Sequence, residues 1–215
     1  DKMMPMVDAH DSGDIDLDLF LSDPFLLQLA RTLNINTPNF LKDVCEAIAG
    51  GADEDDLLNS FGNEVAIIAQ KREGDSAYIS AHTTIIDRLA ICRLENSNVD
   101  ASGYLVTAIS GDSADACCII HGQEDGDIDD PANPPLSASF YANSFLETPN
   151  RFDLSRMATY LDKNGGGHKN ACGCRIQPLT EDGEPITRVV NNEDIERNLE
   201  SWLKLWRDRQ NTILI

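Results

Sequence analysis

Apolar residues recur at helical spacing through roughly the first third of the chain, then give way to shorter runs in which strands and helices alternate. Pro24 opens a helical pattern that places Phe25, Leu26, Leu29, Ala30 and Leu33 on one face. Thr37 before Pro38 supplies a cap and a first-turn proline for a second helix. Its stripe is Phe40, Leu41, Val44, Cys45 and Ile48, and Gly50-Gly51 ends it by permitting a left-handed residue. A third helix opens in Asp53-Glu54-Asp55-Asp56, where acids favour the positive end of the helix dipole, and carries Leu57, Leu58, Phe61, Val65, Ile68 and Ala69. The acidic segment before Pro24 reads as a loop packing Leu17, Leu19 and Phe20, since Asp is a poor strand former in the alternating run Ile15–Leu19.

Beyond a boundary near Glu73-Gly74-Asp75 the pattern changes. Ser76–Ile86 and Arg88–Leu94 read as strands around a short link, being rich in Ile, Thr, Tyr and Ala. Asp100–Ser110 has helical spacing, Ala114–His121 reads as a buried strand, and Leu136–Ser144 reads as another. The acidic, proline-bearing stretch between those strands, Gly122–Pro135, is a solvated loop. Phe152–Asp162 is a helix with Asp153 or Asn150 as its cap, and Cys174–Leu179 returns to strand. A last helix over about Asn192–Gln210 puts Trp202 and Trp206 on one face, the apolar stripe of a helix packing on its own domain. Alternating strands and helices predict an α/β fold: a mixed sheet with flanking helices over 74–215, preceded by a small helical region within 1–73.

Charge narrows the function. Against 37 Asp and Glu stand 17 Lys and Arg, a formal net charge of −20. Such a field argues against coating duplex DNA or anionic lipid by counterion release. The longest apolar runs are about five residues, against the roughly 20 that span a bilayer. The 6 cysteines are too few for a disulfide scaffold, and reduced thiols point to an intracellular reducing compartment, cytoplasm or an organelle matrix or stroma. Cys45, Cys92, Cys117 and Cys118 read as small core residues. The Asp-led N-terminus reads as a fragment or a processed end.

The segment richest in chemistry is Asn164-Gly165-Gly166-Gly167-His168-Lys169-Asn170-Ala171-Cys172-Gly173. Consecutive glycines suit a close backbone approach or unusual dihedrals, and side-chain-free turns present amides that can hold an anion. His168 can donate to a phosphate oxygen and Lys169 adds a cation. The same residues also suit a tight helix-to-strand turn with an exposed imidazole.

Gly165-Gly166-Gly167-His168 followed by Ala171 and Gly173 resembles the hallmark of the substrate-binding domain, DHHA1, of the DHH phosphoesterases. Asp153-Leu154-Ser155 with Ala158, and the run Ser139-Phe140-Tyr141-Ala142, resemble two further stretches of that family. Ala142 stands where the family has Ser, Tyr141 matches the Tyr form of a position that is Tyr or Arg in the family, and Cys172 stands where a second Ala is common. The resemblance covers roughly 136–178 in detail and extends from about 74 onward. It implies that Gly165, Gly166, Gly167, His168 and Lys169 bind the phosphate or terminal nucleotide of a phosphorylated small molecule or short nucleic acid. It also implies that manganese or magnesium belongs to a DHH catalytic domain, outside this chain or on a partner protein, with 1–73 continuing the connection to it. No Asp-His-His occurs here, and Asp8, Asp11 and Asp14-x-Asp16-x-Asp18 form an acidic stretch without a completing ligand set.

Two other readings stay open. The competing reading is a non-catalytic accessory or structural subunit of a larger assembly that retains the DHHA1-like fold. His168, Cys172 and Cys174 have soft-ligand spacing for zinc, with His121 the nearest candidate for a fourth ligand. A Cys172–His168 nucleophile pair lacks an orienting third group, and His10 and His82 belong to no ligand-spaced cluster.

Overall fold

A computed structural model describes residues 15–35, 37–130, 132–147 and 152–209. The chain divides into two compact units, Asp1–Gly74 and Asp75–Ile215. His10, Asp8, Asp11, Asp14 and Asn150 lie outside the described residues.

The first unit is helical. Helix α1, Leu17–Ser22, stands where a loop is expected. The Asp16 carboxylate explains it by accepting the Leu19 N–H at 2.7 Å, satisfying a donor that the first turn leaves free. Helices α2, Phe25–Ile35, and α3, Pro38–Ala49, follow, with Thr37 capping α3 through the Phe40 N–H. Helix α4 runs from Glu54 to Ala81. Leu26, Leu29, Phe40, Val44, Leu57 and Val65 form this unit's core. The strand expected to begin at Ser76 is helical as far as Ala81: Ile79 is buried, and Tyr78 stacks on His82 one turn later at 3.9 Å. Residues with strand propensity are carried in the helix by these tertiary and i,i+4 contacts.

The second unit contains a six-stranded mixed sheet of order β1-β2-β3-β4-β6-β5. Its strands are β1 Thr83–Ile86, β2 Leu89–Arg93, β3 Ala116–His121, β4 Ser137–Ala142, β5 Gly166–His168 and β6 Ala171–Arg175. Among these strands only β2 and β3 pair in parallel, and their crossover carries α5, Gly103–Ser110. Helices α6, Ser155–Leu161, and α7, Asn192–Arg207, complete the unit. The cap position of α6 is Leu154 rather than Asp153 or Asn150; the Asp153 carboxylate, one residue before it, accepts the Ser155 N–H and hydroxyl. Strand β6 begins and ends earlier than the expected Cys174–Leu179.

One face of the sheet is the main core. Leu89, Ile91, Cys118, Ile120, Ala138, Phe140, Cys172 and Cys174 meet the apolar sides of α6 and α7 there. Trp202 packs edge-on to Phe140 at 5.1 Å and Trp206 edge-on to Phe152 at 5.7 Å. The tryptophan stripe thus belongs to the interior, and Trp206 Nε1 donates to the Asp87 carbonyl at 3.0 Å. That bond steadies the two-residue β1–β2 turn, where Asp87 and Arg88 both hold positive φ. Buried Asp194 accepts from Arg188 and from the Asn191 and Leu179 N–H groups, tying the start of α7 to the chain before it.

Helix α5 covers part of the opposite face, against β2, β3 and β4. A side chain at Gly103 would meet the Tyr141 ring at 2.2 Å, so only glycine lets this helix approach so closely. Among the described residues no helix is long and apolar enough to cross a membrane.

Candidate functional site

The Gly-rich segment is a hairpin rather than a simple turn. Gly166 pairs with Gly173, Gly167 with Cys172 and His168 with Ala171, around Lys169-Asn170. Strand β5 is the edge of the sheet, where alternate backbone groups have no strand neighbour. The turn is fastened from below: the Leu154 N–H donates to the Lys169 carbonyl and the Ala142 N–H to the Asn170 carbonyl, both at 2.9 Å.

Asp162, absent from the sequence-derived site, holds the hairpin at its open end. It follows α6 and is buried. One carboxylate oxygen accepts the Asn164 N–H and the other the Arg175 N–H, each at 2.9 Å, while its carbonyl accepts the Gly165 N–H. An acid at a helix C-terminus opposes the dipole. That misplaced charge is the signal in the sequence that Asp162 is wanted for other bonds.

The three glycines do different work. A Cβ at Gly165 would lie 2.3 Å from the Ala158 carbonyl oxygen, so Gly165 allows β5 to pack on α6. Gly165 therefore serves the fold, and its amide is already donated. Gly167 has φ +131°, and a Cβ there would meet Ala171 O and Cys172 Cα at 2.7 Å. Gly166 is different: its φ is outside the left-handed range, and nothing lies within 4 Å of where a Cβ would stand. Neither packing nor backbone geometry asks for glycine there, and the space beside it is open.

Register decides which residues share that space. Across a sheet, directly paired residues lie on the same face and neighbours along a strand alternate. Gly166, Gly173 and Ser139 form one row, and His168, Ala171 and Tyr141 the next, on the face away from the α6–α7 core. His168 and Lys169 are exposed, and neither makes a side-chain hydrogen bond or ion pair among the described residues. Farther along the same face, His121 Nε2 lies 3.0 Å from Ser139 Oγ. Burial pushes the His121 imidazole below its usual range, opposed by the Asp100 carboxylate. Burial likewise raises the Tyr141 phenol, with the Ser139 hydroxyl opposing.

Cys172 and Cys174 point the other way, into the core, so His168 cannot join them as a zinc ligand. Burial raises the Cys172 thiol to about 12, which keeps it protonated and removes it as a nucleophile. Asp16 is used as a helix cap. Among the described residues no group of three His, Cys, Asp or Glu is gathered to hold a metal ion.

The fold is shared with a solved phosphodiesterase structure. The chain superimposes on the pGpG-specific phosphodiesterase PggH from Vibrio cholerae with a TM-score of 0.72 and 14% identity, covering 97% of this chain and 66% of that one. An exopolyphosphatase-related protein from Bacteroides fragilis gives a looser likeness, with a TM-score of 0.42 and 18% identity over 80% of this chain and 46% of that one. No family model and no curated protein matches the sequence.

Proposed function

We propose that the sheet unit holds the phosphate of a nucleotide substrate in a phosphoester hydrolase of the DHH type, with hydrolytic metals supplied from outside the residues described. The observation that carries this reading is Gly166: a glycine the fold does not require, beside open space, on the face that also bears exposed His168. The shared fold with PggH and the resemblance of Gly165–His168, Ala171 and Gly173 to the DHHA1 hallmark support the same reading.

In this proposal the edge of β5 admits a phosphate against Gly166 without a side chain intervening. His168 donates a hydrogen bond to a phosphate oxygen, and Lys169 adds positive charge beside it. Asp162 and the turn anchors keep the hairpin in place, so little order is lost when the ligand arrives. The contribution to hydrolysis is positional: contacts that fix the phosphorus raise the rate by limiting the geometries it samples.

Isothermal titration with pGpG and with inorganic phosphate tests the proposal. Loss of one charge-assisted hydrogen bond is worth about 1.5–3 kcal/mol, so His168→Ala should weaken phosphate-bearing ligands about tenfold or more. A wild-type chain that binds neither ligand would favour the accessory-subunit reading.

A further inference from the structure

The same face continues past the hairpin to half-buried Ser139, Tyr141 and His121, where α5 begins to cover it and the chemistry changes. From Gly166 the row crosses Gly173 to Ser139 with no side chain between, and beyond Ser139 it meets buried Ile119 of β3. Two strand spacings make that stretch about 10 Å, longer than a phosphate and comparable with the reach from a nucleotide's phosphate to its nucleoside. The groups at its end are a serine hydroxyl, a phenol and a half-buried imidazole, with the Asp100 carboxylate acting on both rings. A carboxylate there repels a second phosphate, whereas neutral donors and acceptors suit a sugar or base.

His121 lies behind Ser139 on β3, and their bond of 3.0 Å determines what the hydroxyl can offer. When the imidazole accepts the Ser139 proton, Oγ presents only lone pairs to a ligand; when Nε2 donates, the Ser139 proton is released to a ligand acceptor. Burial of the imidazole favours the neutral ring. Building on the phosphate-holding reading above, we propose that His121 is a positioning residue that, through Ser139, gives the site its preference for a nucleoside-bearing ligand over free phosphate.

Titration of wild type, His121→Ala and Ser139→Ala with pGpG and inorganic phosphate at one pH tests this. Each substitution should weaken pGpG about tenfold and change phosphate affinity less than twofold. The ring nitrogens of His121 should also shift in nitrogen-15 NMR spectra when pGpG, but not phosphate, is added to wild type. Should His121→Ala fail to fold, Ser139→Ala, which leaves the imidazole in place, still decides the matter. Equal losses for both ligands, or unchanged pGpG affinity in the folded variants, would overturn the role of His121 while leaving the phosphate reading intact. Absence of wild-type binding to either ligand would remove both.

Discussion

The two faces of the sheet are built from the same strands and do opposite things. Strand β4 shows this residue by residue: Ala138 and Phe140 are buried against the helical layer, while Ser139 and Tyr141 turn toward the face that α5 only partly covers. On the first face, large side chains and two tryptophans fill the volume under α6 and α7. On the second, one row from β5 to β4 is only Gly166, Gly173 and Ser139, beside the row of His168, Ala171 and Tyr141. The difference teaches where selection for packing ends. A sheet face that needed only to be stable would be expected to carry side chains large enough to cover it; the second face instead keeps its floor low beside the hairpin.

Replacing residues on each face should separate the two roles. Phe140→Ala removes a fully buried ring that packs on Trp202, and should cost about 3–5 kcal/mol in a denaturant titration. Ser139→Ala, one residue away, should cost about 1 kcal/mol or less. Comparable losses at the two positions would erase the distinction between the faces.

Within the hairpin the same contrast narrows to adjacent glycines. Gly165→Ala forces a Cβ against the Ala158 carbonyl and should destabilise by about 1–3 kcal/mol. Gly166→Ala meets nothing, and should change stability by less than about 1 kcal/mol while weakening phosphate binding. A stable Gly166→Ala protein that binds phosphate as wild type does would remove the reason for reading that glycine as functional.

The smallest expected effect is a pH dependence. Because burial lowers the His121 value on folding, the unfolded chain binds that proton more readily. The stability tied to the neutral ring is therefore complete above about pH 6.5 and is lost as pH falls from there through the lower folded value. Comparing the pH profiles of wild type and His121→Gln by thermal unfolding should show a shallower acid-side decline in the variant. Superimposable profiles would place His121 in a more open setting than its bond to Ser139 implies.

The helices after Pro24 and Thr37, the cap at Thr37 and the last-helix tryptophans were legible because helix formation is governed by residues three and four apart. Spacing alone draws the stripes too wide, however: Leu41, Cys45, Ile48 and Leu58 are exposed. The Gly-Gly-Gly-His run was equally visible as an exceptional segment. Register was not: it depends on hydrogen bonds that join the β5–β6 hairpin to β4, from which α6 and long connections separate it. Register sends Cys172 and Cys174 inward while His168 faces out. For the same reason Asp162 read as an ordinary helix flank until folding brought the Asn164 and Arg175 amides to its two oxygens. Propensity also misjudged Ser76–Ala81, whose strand-forming residues are held in helix by the burial of Ile79. Local chemistry thus told which residues were available, and contacts distant along the chain settled which of them meet, because only the folded backbone converts sequence separation into a shared face.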